Sequence, residues 1–393
     1  SSVVQDARAL LLAHPVATTA DHELRAARFD AGLAFVHFDE GHGGRGGSLS
    51  EQADVEEVFT EAGAAQWGAR NVIGLGMAAP TMHAHGTEEQ KRRYLKPLFT
   101  GAEVWCQLFS EPGAGSDLAA VATRATRVPD GWLVSGQKVW TTLAHVARWG
   151  LLLARTDPAL PKHRGLTFFL LDMTAPGVDV RPLRQLTGEA EFNEVYLDEV
   201  LVPDDAILGE VNGGWAVALT TLMNERVSLG ARPAERGSGP AGQLVDCYRA
   251  ARAGGRAGDG ELDRVMRLWL RADAARLTNQ RATEQMRRGT PGPEGSIAKL
   301  QMAEGNKAMY DLSAELLGPE ALLFPGYAET RPDAAAVHGG SDDVRYDYLR
   351  SLANSIEGGT SEVLRNVLGE RVLGLPAEPR TDKDVPFSAL PRS

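Results

Sequence analysis

The chain has 393 residues, 43% of them hydrophobic and 24% charged, with a formal net charge of −11. That length exceeds what one core usually organises, so two or three subdomains are expected. The acidic balance excludes nucleic acid as the main partner, because a phosphate backbone needs a concentrated basic face. A small anionic ligand needs only a local basic patch and stays open. Cys106 and Cys247 imply no disulfide framework and have no Cys or His neighbour at metal-ligand spacing. They read as small buried hydrophobes. No apolar run is long enough to span a bilayer, and no secretory segment is evident, so a reducing cytoplasm is the expected compartment.

The first hundred residues read as helices, with apolar residues at helical spacing over 3–12 and 23–34. The glycine-rich stretch 41–48 follows no clear strand and lacks the G-x-G-x-x-G order, so a flexible turn between helices is expected. Thr87 reads as the N-cap of a helix over 88–95, with acid in its first turn. His83 and His85 read as a helix-end pair, and no His/Asp cluster has the spacing of a metal hydrolase. The texture then changes to short strand-like runs at 105–109, 132–135, 139–142, 149–154, 166–171 and 195–197. Turn signals such as Pro129-Asp130-Gly131 and Pro176-Gly177 separate them, which points to a small antiparallel β domain. Helical periodicity returns over 215–228, 261–288, 296–317 and 346–355, with a mobile linker expected at 251–260. The expected units are an N-terminal helical domain (1–103), a middle β domain (104–211), a helical bundle (212–376) and an ill-ordered, Pro- and charge-rich tail (377–393). There is no internal repeat.

Residues 105–117 read WCQLFSEPGAGSD, a strand running into a Pro-Gly-Ala-Gly-Ser turn. Glycines let backbone approach a ligand, and exposed N–H groups beside a serine hydroxyl suit a phosphate. A plain β-turn accounts for the same residues.

That segment, followed by GQKVWTT at 136–142, resembles the middle β domain of the acyl-CoA dehydrogenases. Residues 71–95, 181–203, 213–230 and 358–376 (GGTSEVLRNVLGERVLGLP) resemble further parts of the same family, in the family's order. The resemblance covers roughly residues 20–376. It implies a helical N-terminal domain, a middle antiparallel β-barrel-like domain and a C-terminal helical bundle. It also implies tightly bound FAD and desaturation of an acyl-CoA, or a related acyl thioester, between its α and β carbons. By the resemblance, Gln107, Phe109 and Ser110 lie along the isoalloxazine ring, and Gly115 and Ser116 lie near the pyrophosphate. Trp140 flanks the flavin face opposite the substrate, Thr142 offers a hydroxyl near N5, and Thr360 and Glu362 contact the nucleotide portion. Reduced flavin passes its electrons to an electron-transfer flavoprotein or a similar acceptor, and the chain assembles as a homodimer or tetramer.

The reaction needs a carboxylate to take the α proton. Many family members keep it in a Tyr-Glu-Gly-Thr arrangement. Here the stretch is Ile356-Glu357-Gly358-Gly359-Thr360, which puts Gly358 in the base position and Glu357 one residue early. A second branch, including isovaleryl- and long-chain-type enzymes, places a Glu-Arg pair on the helix after the β domain. The matching pair is Glu225-Arg226, so Glu225 is assigned as base and Glu357 is the alternative. The usual Arg-x-x-Phe-Gly run that grips a neighbour's FAD is missing from 258–281. This stretch, with GPEGSIAKL at 292–300, resembles actinobacterial-type paralogues that handle sterol side chains or other specialised acyl groups, some of them hetero-oligomers. Two rivals follow: an oxidase or monooxygenase on the same fold, and a flavin-poor partner subunit. Arg181, Arg184 and Arg232 are candidates for an anionic CoA tail, with solvated surface charge as the competing account.

Overall fold

The computed structural model describes residues 2–65, 68–230, 235–287, 294–323, 326, 328–335, 343–379 and 381–391, with backbone alone at 69, 225–230, 286–287 and 294. The N-terminal domain holds α1 (Ser2–Ala13), α2 (Asp21–Asp30), α3 (Leu49–Glu61), α4 (Ala79–His85) and α5 (Glu88–Thr100). Two capping boxes start helices here: Ser48 with Glu51 on α3, and Thr87 with Gln90 on α5. Gln90 also donates to the carbonyls of Asp205 and Ile207, both at 2.8 Å, tying this domain to the chain leaving the β domain. The glycine-rich stretch is a tightly packed turn, not a slack one. A Cβ on Gly44 would stand 2.2 Å from the Phe38 carbonyl oxygen and 2.4 Å from that of Phe35. Glycine is needed there for close backbone approach.

The middle domain holds β1 (Trp105–Leu108), β2 (Arg124–Val128), β3 (Gly131–Thr142), β4 (Trp149–Arg155), β5 (Leu166–Asp172), β6 (Val178–Pro182) and β7 (Phe192–Val202). They form one curled sheet in the order β1-β4-β2-β3-β7-β6, with β5 paired to β4. Most pairs are antiparallel, as expected; β1 runs parallel to β4. β4 and β5 are buried along nearly their whole length, which explains their unbroken apolar sequences. Cys106 lies fully buried in β1, and burial pushes its thiol up. β3 and β7 slip register between Lys138 and Thr141, a bulge that shapes the site described below.

The C-terminal part holds α6 (Gly214–Gly230), α7 (Pro240–Ala253), α8 (Asp259–Arg287), α9 (Glu294–Leu317), α10 (Val344–Ser351) and α11 (Ser361–Val367). α9 packs against α6, α7, α8, α10 and α11. The expected linker at 251–260 is mostly an ordered junction: α7 continues to Ala253, and Arg256 N–H bonds the Ala251 carbonyl at 2.8 Å. Among the described residues no helix is long and apolar enough to cross a membrane.

The expected ill-ordered tail is docked instead. Phe387 N–H bonds the Leu160 carbonyl and Ser388 N–H that of Pro158, each at 2.9 Å. The Phe387 ring lies 3.8 Å under the Arg155 guanidinium. Composition counted prolines and charges, but the anchors are single residues whose partners lie in a distant loop.

Candidate active site

The turn after β1 is held by buried charge. The Glu111 carboxylate accepts the N–H groups of Ala122 (2.7 Å) and Thr123 (2.9 Å) and the ammonium of Lys138 (2.8 Å). Lys138 is fully buried and also donates to the carbonyls of Phe109 (3.1 Å) and Leu153 (2.8 Å). Burial alone raises Glu111, but Lys138 and the N–H donors outweigh it and hold the carboxyl below the usual range. Burial lowers Lys138, with Glu111 opposing. The result is an ion pair stitching the end of β1 to β3. Sequence reasoning did not single out either residue, although both lie in the quoted motifs; their pairing depends on the two strands meeting in space.

This stitch sets the positions of the predicted cofactor residues. Ser110 carbonyl accepts the Val139 N–H at 2.9 Å, so the end of β1 meets the bulge in β3. At the bulge Trp140 takes φ +58°, a left-handed angle unusual for an aromatic residue. Its indole is 58% exposed and meets Phe192 edge-on at 5.9 Å. Strain and exposure of a large aromatic are both costly unless something covers the ring. Beside it, Thr142 is half-buried opposite Phe192 in the β3–β7 ladder. On β1 the Gln107 side-chain carbonyl is buried with no hydrogen-bond partner, although buried acceptors are almost always satisfied. Gly115 and Ser116 are exposed, and a Cβ on Gly113 or Gly115 would meet nothing within 4 Å. The Phe109 ring is buried edge-on against Phe168 at 5.7 Å, so its backbone is the part open to the site.

Thr360 and Glu362 form a separate group on the C-terminal bundle. Thr360 Oγ1 caps α11 by accepting the Val363 N–H at 3.2 Å, and the exposed Glu362 pairs with Arg365 at 3.5 Å. Before them, Gly358 (φ +61°) and Gly359 (φ +94°) make a turn that favours glycine. Lys299 fixes the turn by donating to the Gly359 and Asn354 carbonyls, both at 2.7 Å.

The two candidate bases fare differently. The Glu357 carboxylate accepts from Arg350 at 3.1 and 3.2 Å and from Asn354 at 2.9 Å. Arg350 also stands 3.8 Å from Glu191 of the β domain. Burial lowers the guanidinium, but the surrounding carboxylates prevail and raise it. Glu357 is thus occupied as a structural counter-ion. Glu357→Gln is expected to leave turnover within about tenfold of wild type while costing about 1–3 kcal/mol of stability. Steady-state rates and denaturant midpoints check this, and a loss of turnover without loss of stability contradicts it.

Glu225 lies on α6, whose side chain at this position is outside what the structure describes. The helix itself is fixed. Thr221 Oγ1 lies 3.0 Å from Thr81 Oγ1, and Thr220 Oγ1 lies 2.8 Å from His85 Nε2, both on α4. Position 225 follows buried Ala218 and Thr221 at the i, i+3, i+7 spacing of one helix face. Of the other candidates, Arg181 pairs with Asp179 at 2.7 Å and stacks on Tyr196, Arg184 is exposed, and Arg232 lies outside the described residues. Among the described residues no group of His, Cys, Asp and Glu could hold a metal ion.

A helical domain, a curled sheet whose first strand runs into a glycine turn, and a helical bundle follow one another in the order of the three acyl-CoA dehydrogenase domains. The chain belongs to this family. Its N-terminal domain model matches residues 10–102, the middle domain model 106–200 and the C-terminal domain model 212–373. Acyl-CoA dehydrogenase FadE34 of Mycobacterium tuberculosis is 41% identical over 92% of this chain, which spans 47% of that relative's length. Acyl-CoA dehydrogenase IpdE1 of the same organism is 37% identical over 88% of this chain and 86% of its own. Among solved structures, the ChsE4-ChsE5 complex from M. tuberculosis aligns with TM-score 0.69 and 27% identity over 96% of this chain and 98% of that one. The Tcur3481-Tcur3483 steroid ACAD aligns with TM-score 0.70 and 25% identity over 96% and 97%. Members of the family are flavoproteins, so FAD is the expected cofactor. The unsatisfied Gln107 carbonyl, the uncovered Trp140 ring and the open space beside the glycine turn fit such a group.

Proposed function

We propose that the protein dehydrogenates an acyl-CoA between its α and β carbons, with Glu225 as the base that takes the α proton. The observation carrying the base assignment is the state of its rival: Glu357 is tied to Arg350 and Asn354, and the adjoining position is Gly358, which has no side chain. When bound, FAD would supply the hydride acceptor. The chain's own groups do the rest. Trp140 would cover one face of the ring, and Gln107 and the Ser110 backbone would face its polar edge. Thr142 offers a hydroxyl beside it, and Gly115 and Ser116 leave room for phosphate, with Thr360 and Glu362 reserved for the nucleotide portion. The Glu111–Lys138 pair keeps the first group aligned. Glu225 holds the abstracted proton while hydrogen-bond donors to the thioester carbonyl stabilise the developing enolate. An electron-transfer flavoprotein or similar carrier would take up the electrons.

The likeness to a structure described as a steroid ACAD supports a bulky, ring-bearing acyl group. The two-chain names of both structural relatives, with the missing Arg-x-x-Phe-Gly run, support a second reading in which the active assembly contains an unlike subunit. Incubating the flavin-loaded protein with a panel of acyl-CoAs and an artificial electron acceptor tests the reaction. The product is expected to have lost two hydrogens and to carry a 2,3-double bond. A substrate mass unchanged for every thioester, with or without co-expressed paralogues, contradicts it.

A further inference from the structure

The family match ends at residue 373, yet the chain beyond it is built into the protein. The segment lies across the loop between β4 and β5 like a strap. Pro386 bridges to Pro161, and the Phe387 and Ser388 N–H groups bond the Leu160 and Pro158 carbonyls, each at 2.9 Å. Two side chains of the strap reach further in. Asp382 accepts from Lys162 at 2.5 Å, and the Phe387 ring seats on the Arg155 guanidinium at 3.8 Å. Lys162 and Arg155 are buried cations, 7% and 2% exposed. Burial alone lowers Lys162, but Asp117 and Asp382 prevail and raise it, so it keeps its charge.

These two cations hold one stretch of chain. Lys162 donates to Asp117 at 2.6 Å. Arg155 donates to the carbonyls of Ala119 (2.6 Å) and Val121 (3.2 Å), and to that of Lys162 itself (2.6 Å). Residues 117–121 therefore hang from the loop that the strap covers. They directly follow Gly113-Ala114-Gly115-Ser116, the turn with open space at both glycines. At its other end the turn leaves Glu111, which is fixed by Lys138 and by the Ala122 and Thr123 N–H groups. Glycine loses more backbone freedom on ordering than any other residue, so a ligand that orders a free glycine turn binds at a cost. Fixing both ends of the turn beforehand removes part of that cost. Glu111 is one anchor. Asp117, Ala119 and Val121 are the other, and the strap touches both cations that carry it.

We infer that the C-terminal segment is a positioning strap: through Asp382 on Lys162 and Phe387 on Arg155, it fixes the glycine turn that receives the FAD diphosphate. The inference rests on the proposed reading that Gly115 and Ser116 face that diphosphate. The test uses full-length, FAD-loaded protein and two readouts: FAD release on dilution, followed by flavin fluorescence, and the phosphorus resonances of bound FAD. Asp382→Lys opposes Lys162 and opens the latch, and is expected to speed release about tenfold. It also adds positive charge near the diphosphate, so a purely electrostatic role predicts slower release. Phe387→Ala uncovers Arg155 and is expected to speed release about threefold. Both are expected to move the phosphorus resonances and to leave the visible absorption maxima of the flavin ring in place. Asp382→Glu, which keeps the carboxylate, is expected to behave as wild type. Unchanged release and resonances in both strap variants, or slower release in Asp382→Lys, overturn the inference. Ring absorption that moves together with the phosphorus signals marks a general loosening of the fold and also overturns it. Gly115→Glu tests the underlying reading, since a Cβ there meets nothing within 4 Å. Its carboxylate is expected to expel FAD. If it leaves release and resonances as they were, the diphosphate lies elsewhere, and the reading of the turn fails together with the inference. If it expels FAD while the strap variants change nothing, the strap alone fails.

Discussion

Glu225→Gln is expected to lower turnover by about 10²–10⁴-fold, the contribution typical of a positioned general base, with FAD still bound. Glutamine keeps the size and removes the capacity to take a proton. The position lies on a helix pinned to α4 by two side-chain hydrogen bonds, so the backbone is expected to hold. The effect belongs in the rate of flavin reduction measured in a single turnover, where product release and reoxidation do not enter. Glu357→Gln serves as the control. If Glu357→Gln stops flavin reduction and Glu225→Gln does not, the base has been assigned to the wrong residue, despite the ion pair that occupies Glu357.

Lys138→Met carries the second large effect, on folding. It leaves the Glu111 carboxylate buried with its N–H donors but no counter-charge, at an expected cost of about 3–5 kcal/mol. The double variant Glu111→Gln/Lys138→Met is expected to be less destabilised than the sum of its singles, because it removes both charges together. The pair also has a pH signature. Glu111 titrates lower folded than unfolded, so its contribution is complete above the usual carboxylate range and fades as pH falls through its depressed folded value. Denaturant midpoints from neutral to acid pH are therefore expected to fall in wild type and to fall less in Glu111→Gln. Equal pH slopes in the two contradict the pairing.

The helix–sheet–helix order was legible because its signals are local. Unbroken apolar runs become buried β4 and β5, and Thr87 caps α5 as its sequence predicts. What escaped was written in weaker patterns. β2 and β6 are short strands rich in exposed residues, so neither shows a clean alternation. α3 follows a glycine-rich turn whose bulk obscured the Ser48–Glu51 capping box. α7 has Gly239-Pro240 at its start, which reads as a break although proline suits a first helical turn. At the site, family motifs marked stretches of chain but not orientations. Phe109 turns into the core, and the Trp140 bulge depends on a register slip between β3 and β7 that no single strand encodes. The Glu111–Lys138 and Lys162–Asp382 pairs join residues 27 and 220 positions apart, beyond the reach of periodicity.

The most direct test of the account is the visible absorption spectrum of the purified protein before and after anaerobic addition of mixed acyl-CoAs, including steroid-bearing ones. The account predicts a flavin spectrum that bleaches on addition and returns with an electron acceptor. A protein that binds flavin but stays oxidised with every thioester, alone and with its co-expressed paralogues, contradicts it.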